Sequence, residues 1–288
     1  MRLHLSAREA GGGTAGAASR SLFESVRYSL FSGGKRFRPQ VAFAVAQMLG
    51  LAEARVYPLA AAIEFIHTYS LIHDDLPCMD DDDVRRGKPT NHRVYGEATA
   101  LLAGDALLTE AFELLASGYV GAPEIGLELV RLLSEAAGLI GMVAGQARDM
   151  AMQDISKSLA ASTATAATAT MGGPSAPDLL KMLSLKTGAL IRISVEGVAV
   201  VARAPTHERK NLRELGALIG LAFQLADDLL DYDPAAVEPS GLPAIVGVEA
   251  TREKLAETSE AAAALLRPFG ARAEPLRKLI SLNLDRKI

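Results

Sequence analysis

A single cysteine, Cys78, stands in a chain of 288 residues. This excludes an intramolecular disulfide framework and any zinc site built on several thiolates, and it suits a reducing compartment. Positive charge is not in excess: 30 Lys and Arg against 34 Asp and Glu leave a formal net charge of -4. A basic face of the kind that nucleic acid demands is therefore not expected, and anionic partners must be caught locally. Long hydrophobic runs are also missing. The most apolar stretches, such as Ala189 to Ala202, are interrupted by Arg192 and Glu196 well before the ~20 residues that a membrane span requires. Arg2, His4, Arg8 and Glu9 leave no apolar signal core at the amino terminus, and Gly11 to Ser19 reads as a loose lead-in. A soluble cytoplasmic protein is expected. No tandem repeat is found, and no alternating strand pattern with hairpin turn chemistry.

What is present is an ordinary globular composition, 49% hydrophobic and 22% charged, with apolar residues at helical spacing almost throughout. Full-length bundle helices are predicted over Leu59–His73, Leu101–Leu115, Glu128–Met150, Leu179–Val201 and Lys210–Leu230. Gly/Pro-rich breakers at Ser32–Gly34, Gly87–Pro89, Gly121–Pro123, Gly172–Pro174 and Pro234–Pro243 separate them. The fold class is all-α, a single domain over 1–288, with flexible segments at 1–20 and in the Ala/Ser/Thr-rich tract 156–177.

Charge concentrates in two places. His67, Ser70 and Asp74 share one face of an apolar helix, Asp75 follows, and the chain runs through Asp80 to Asp83 into Arg85, Arg86 and Lys88. Far along the chain Asp227, Asp228 and Asp231 lie within one helical turn. Like charges so close destabilise a helix unless a cation bridges them. Hard oxygen ligands with few histidines fit Mg²⁺ joining carboxylates to phosphate oxygens, and the spacing excludes an EF-hand. The run Gly33-Gly34-Lys35-Arg36-Phe37-Arg38-Pro39 sets three cations on a glycine-opened turn before a helix, a place suited to phosphate, and Lys186-Thr187-Gly188 adds a cation and a hydroxyl inside an apolar helix.

With these segments in this order, and with Arg-Arg-Gly-Lys-Pro-Thr at 85–90, Gly-Gln-Ala-Arg-Asp at 145–149 and Phe-Gln-Leu-Ala-Asp-Asp-Leu-Leu-Asp at 223–231, the sequence resembles the trans-isoprenyl diphosphate synthases. Within them it is most similar to the bacterial farnesyl diphosphate synthase group and its geranylgeranyl relatives. The resemblance implies antiparallel helices around a deep cavity, a homodimer, and condensation of isopentenyl diphosphate with an allylic diphosphate. It assigns Asp74, Asp75, Asp80, Asp227, Asp228 and Asp231 to Mg²⁺, with Asp74, Asp80, Asp227 and Lys186 central to catalysis. Arg85, Lys186, Thr187 and Gln224 would contact the allylic diphosphate, and Lys35, Arg38, His67 and Arg86 the isopentenyl diphosphate. Tyr69, with Ser70 beside it, would floor the elongation pocket, and an aromatic there resembles fifteen-carbon producers.

Two further activities share parts of this pattern. A class I terpene synthase also ionises an allylic diphosphate on aspartate-rich metal sites but needs no second diphosphate pocket, so Lys35, Arg38, His67 and Arg86 favour condensation. A non-catalytic partner subunit could dispense with its aspartates, yet both clusters are complete. One departure from the family stands out: between Asp231 and Pro243 the chain has no lysine or arginine, where the family carries a lysine on a longer loop.

Overall fold

A computed structural model describes residues 1–11, 17–161, 175–235 and 241–284. They group into two compact units, Met1–Pro39 with Tyr57–Val130, and Gln40–Val56 with Arg131–Ile288. The first holds α1 (Arg2–Gly11), α2 (Ala17–Leu30), the start of α3 (Phe37–Met48), α4 (Tyr57–Asp74), a hairpin of β1 (Val84–Arg85) and β2 (Lys88–Pro89), α5 (Asn91–Tyr95), α6 (Glu97–Gly118) and the first half of α7 (Pro123–Ala137). In the second are α8 (Met142–Ala161), α9 (Ala176–Leu183), α10 (Ala189–Val201), α11 (Thr206–Asp231), α12 (Leu242–Val246), α13 (Val248–Leu266) and α14 (Glu274–Leu284). The all-α class holds.

Helix α4 is the spine of the first unit, buried on nearly every side, with Phe65, Ile63, Ile66 and Leu59 among the fully enclosed side chains. Its main neighbour is α6. The His73 ring fills the place where a Cβ on Gly104 would sit, and His73 Nε2 lies 3.0 Å from the Leu101 carbonyl oxygen. Helix α1 is fastened to α6 by charge, with His4 Nε2 2.7 Å from Glu110 and Arg8 2.8 Å from Glu113. Part of the amino-terminal tract expected to be flexible is thus helical; residues 12–16 lie outside the described residues.

The hairpin was not expected. Its two-residue turn is Arg86-Gly87, both with positive φ (55° and 73°), as a type I′ turn requires. Strands of two residues are too short to show alternation, so only the glycine signalled it.

In the second unit α11 packs against α10 and α13. Leu225, Ala226 and Leu229 of α11 meet Leu179, Met182 and Leu183 of α9 together with Leu242 and Leu255. The helix expected over Glu128–Met150 is broken, because the chain turns at Gly138–Gly141 and restarts as α8. Exposed Leu139 and Ile140 in that turn had completed an apolar rhythm that the two glycines interrupt. The stretch predicted as Leu179–Val201 is continuously helical but contains a π-turn over Ser184–Gly188. In the Ala/Ser/Thr tract, α8 reaches Ala161 and α9 begins at Ala176, while 162–174 lie outside the described residues.

Candidate active site

Each unit carries one acidic cluster, and in both it stands at the carboxyl end of a helix. There the backbone dipole is negative and a carboxylate is least welcome without a cation. In the first unit α4 ends at Asp74, and the following turn folds back so that Asp80 N–H donates to the Asp74 carbonyl at 2.8 Å. Six residues of separation are thereby reduced to neighbours. Cys78 is exposed on this turn. Asp75 differs from its neighbours: it is buried and ion-paired with Arg85. Burial still holds its carboxyl above the usual carboxylate range, with Arg85 opposing the effect. Arg85 also donates to Asp82 at 3.0 Å.

The cations gather in the same unit. Gly33 and Gly34, with φ of 101° and 104°, open a turn that delivers Lys35 to the surface and brings Arg36 inward to Glu64 and to the Leu30 carbonyl. Arg86 Nη1 donates to the Gly33 carbonyl at 2.7 Å, and its guanidinium occupies the space that a side chain at Gly34 would need. His67 lies among these groups. Burial, then Arg38, Arg86, Arg36 and Arg85, holds its pKa well below the ordinary value, so the ring is neutral at pH 7. Between that lowered pKa and the unfolded value near 6.5 the unfolded chain binds more protons, so stability falls as pH falls below about 6.5, by up to about 1.4 kcal/mol per unit. The melting temperature of the wild type should therefore drop more steeply from pH 7 to 5.5 than that of His67→Asn; parallel slopes would refute this account.

In the second unit the polar face of α11 presents Gln224, Asp227 and Asp231, while Asp228 turns inward. Both oxygens of Asp228 are engaged, one by Gln224 Nε2 and the other by Leu242 N–H, each at 2.9 Å. It anchors the returning chain at Gly241, whose φ is +79°. Lys186 and Thr187 ride on the π-turn, a feature often found where an unusual side-chain direction is needed. Lys186 is ion-paired with Asp149 at 2.5 Å. Gln146 buries both its amide atoms with no hydrogen-bond partner among the described residues, a cost that a ligand or water would remove. Gln146 and Asp149 fall in a segment that carried the resemblance but had been assigned no role; their periodic spacing on one helix face was the available signal. Glu64 was likewise missed, because a buried ion pair leaves no local pattern, and Arg36, one of the three cations read on the glycine-opened turn, is ion-paired with it.

The donor chemistry of Asp74, Asp80, Asp227 and Asp231 fits a hard divalent cation. Asp75 and Asp228 already serve as anchors for Arg85 and for residues 241–242. Among the described residues, three candidate ligand atoms come within 4.8 Å of one another only at His4, Glu110 and Glu113, where Arg8 already neutralises both glutamates. Tyr69 is buried one turn from His73, ring centroids 5.6 Å apart at 76°. Burial, reinforced by Asp74, pushes its phenol up to about 12. Ser70 donates to the His67 carbonyl.

Residues 19–238 match the polyprenyl synthetase family. The chain belongs to that family. Among polyprenyl synthetases it is 41% identical over 249 residues to the farnesyl diphosphate synthase of Bacillus subtilis, covering 82% of this chain and 78% of the relative. It is also 39% identical over 275 residues to geranylgeranyl pyrophosphate synthase 12 of Arabidopsis thaliana, covering 90% and 72%. The apo crystal structure of an FPP/GFPP synthase from Zymomonas mobilis superposes with a TM-score of 0.83 at 36% identity, over 93% of this chain and 90% of that one. The polyprenyl synthetase chain is therefore a prenyltransferase with the isoprenoid synthase fold. No helix among its described residues is long and apolar enough to cross a membrane.

Proposed function

We propose that this prenyltransferase is a Mg²⁺-dependent farnesyl diphosphate synthase, joining isopentenyl diphosphate to dimethylallyl and then geranyl diphosphate. The observation that carries the reading is the pairing, within one unit, of an acidic helix end at Asp74 and Asp80 with a separate cationic group of Lys35, Arg38 and Arg86 around a neutral His67. A cyclising enzyme has no use for the second. Asp74 and Asp80 in the first unit, and Asp227 and Asp231 in the second, would each offer oxygen ligands to the metal, with Asp75 keeping Arg85, and Asp228 the chain at 241–242, in place. Bound Mg²⁺ supplies neutralisation of the charge that develops on the leaving diphosphate.

In this reading Lys186, Thr187, Gln224 and Arg85 bind the allylic diphosphate, and Asp149 aims Lys186. Lys35, Arg38, His67 and Arg86 bind isopentenyl diphosphate and orient its double bond toward the allylic carbon. The apolar surfaces of α4 and α6 exclude water, without which a carbocation would be quenched before coupling. As the new C–C bond forms, the departing diphosphate takes the proton that is lost, so no protein nucleophile is required. Neutral His67 donates a hydrogen bond without adding charge. We further propose a homodimer in the cytoplasm, with Leu101 and Leu102, both exposed on α6, on the face offered to the second copy.

The stopping point is assigned to Tyr69, buried on the helix that ends at Asp74. A geranylgeranyl diphosphate synthase is the second reading, favoured by the similarity to the Arabidopsis enzyme. Incubation with isopentenyl diphosphate, each allylic primer and Mg²⁺, followed by chromatography of the dephosphorylated products, tests both. Farnesol should dominate, and Tyr69→Ala should move the main product to twenty carbons. A wild type that already makes mainly twenty-carbon chains would remove Tyr69 as the stop.

A further inference from the structure

Glu64 is an anion enclosed within a cationic group. Its side chain is 3% exposed and ion-paired with Arg36, and its negative charge also reaches Arg86, opposing the burial and the Arg36 repulsion that lower the Arg86 pKa. Isolated from its surroundings, such a carboxylate would be costly to bury and would repel a diphosphate brought close to it. Something offsets that cost.

The backbone around Arg36 shows what Glu64 does. Arg36 has φ of +51°, a left-handed conformation that costs a side-chain-bearing residue on the order of 1 kcal/mol. It is held there at its far end by Glu64 and by the Leu30 carbonyl. With Gly33 and Gly34 also at positive φ, the turn folds sharply, and the Gly33 carbonyl is placed to accept from Arg86. Arg86 has φ of +55° in its own turn. Two strained arginines from two separate turns thus lie near enough for Arg36 to act on Arg86 through its charge, and the one anchored carboxylate lies on α4 one turn before His67. Thr68 Oγ1 donates to the Glu64 carbonyl at 2.8 Å, which joins that turn of helix to the same arrangement.

We propose that Glu64 is a positioning residue: through Arg36 it clamps the 33–36 turn in its left-handed form and so assembles Lys35, Arg38 and Arg86 into a diphosphate-binding group before substrate arrives. The inference rests on the assignment of those residues to isopentenyl diphosphate. It also makes a counterintuitive claim about sign. If Glu64 acted only through its field, removing its charge would strengthen the binding of an anion. If it acts by positioning, removal weakens binding, because the cations are no longer gathered and the bound turn must be ordered at the substrate's expense.

Calorimetric titration of isopentenyl diphosphate, with EDTA present and no allylic primer, reads this step apart from turnover. The wild type should bind, and Glu64→Gln should bind at least tenfold more weakly, with KM for geranyl diphosphate in the full assay changed less than threefold. Arg36→Gln should match it, and the double variant should be no worse than either single one, as two halves of one clamp require. The double variant also carries the test if Glu64→Gln, which leaves Arg36 part-buried without its carboxylate, does not fold. Unchanged or tighter binding in the folded variants, or equal losses for both substrates alongside a lower melting temperature, overturns the positioning role. A wild type that does not bind isopentenyl diphosphate overturns the subsite assignment itself, and this inference with it.

Discussion

Replacing Asp74 or Asp227 with alanine is expected to reduce kcat by roughly 10²–10³-fold, the scale for loss of one electrostatic stabiliser of a developing negative charge, with the helices intact. Asp74 is the last residue of α4 and Asp227 lies in the last two turns of α11, and alanine has the best helix propensity, so circular dichroism should read near-normal helical content in both variants. Addition of EDTA to the wild type should abolish turnover, and Mg²⁺ should restore it. Undiminished turnover in both alanine variants would sink the assignment of these residues to the metal.

Gly145→Ala is expected to destabilise the protein by about 1–3 kcal/mol, the usual cost of overpacking a tight contact, and to lower kcat/KM as well. Helix propensity alone gives the opposite sign, since alanine exceeds glycine by up to about 1 kcal/mol within a helix. Sterics wins because the obstacle is main chain: a Cβ on Gly145 would lie 2.6 Å from Lys186 Cα, and on the other side a Cβ on Gly220 would lie 2.8 Å from Gly188 Cα. The π-turn is therefore held between two glycines, one on α8 and one on α11. It cannot recede without moving Lys186 away from Asp149. Gly121→Ala, where nothing lies within 4 Å of the new methyl group, should change stability by less than about 0.5 kcal/mol. A Gly145→Ala melting temperature equal to that of Gly121→Ala would refute the contact.

The sequence made α4, α6 and α11 legible, because each has one long apolar rhythm. It also exposed the aspartates and basic turns, whose charge is conspicuous against apolar surroundings. Other features depend on events at a distance. Asp80 comes back to Asp74 only through a turn of six residues. Whether Asp75 and Asp228 face a ligand or the protein cannot be read from adjacent aspartates, since it is decided by Arg85, Gln224 and the Leu242 N–H. Glu64 interrupts the apolar run of α4, and its partner Arg36 lies 28 residues away in the chain. The break at Gly138–Gly141 was hidden by exposed Leu139 and Ile140, which supplied hydrophobicity where no core required it.

The π-turn has a consequence for phase. A π-turn amounts to one residue more than an α-helix would use, and at 3.6 residues per turn each residue advances the side-chain direction by about 100°. Helices α9 and α10 are continuous in backbone but rotated out of register, so a helical wheel drawn straight through both misplaces one of their apolar faces. Deleting Ser184 would restore a uniform screw while turning either Lys186 and Thr187 or the whole of α9 to a different side. The insertion lets a single rod address two different neighbours, and any design that straightens it must choose which one to abandon.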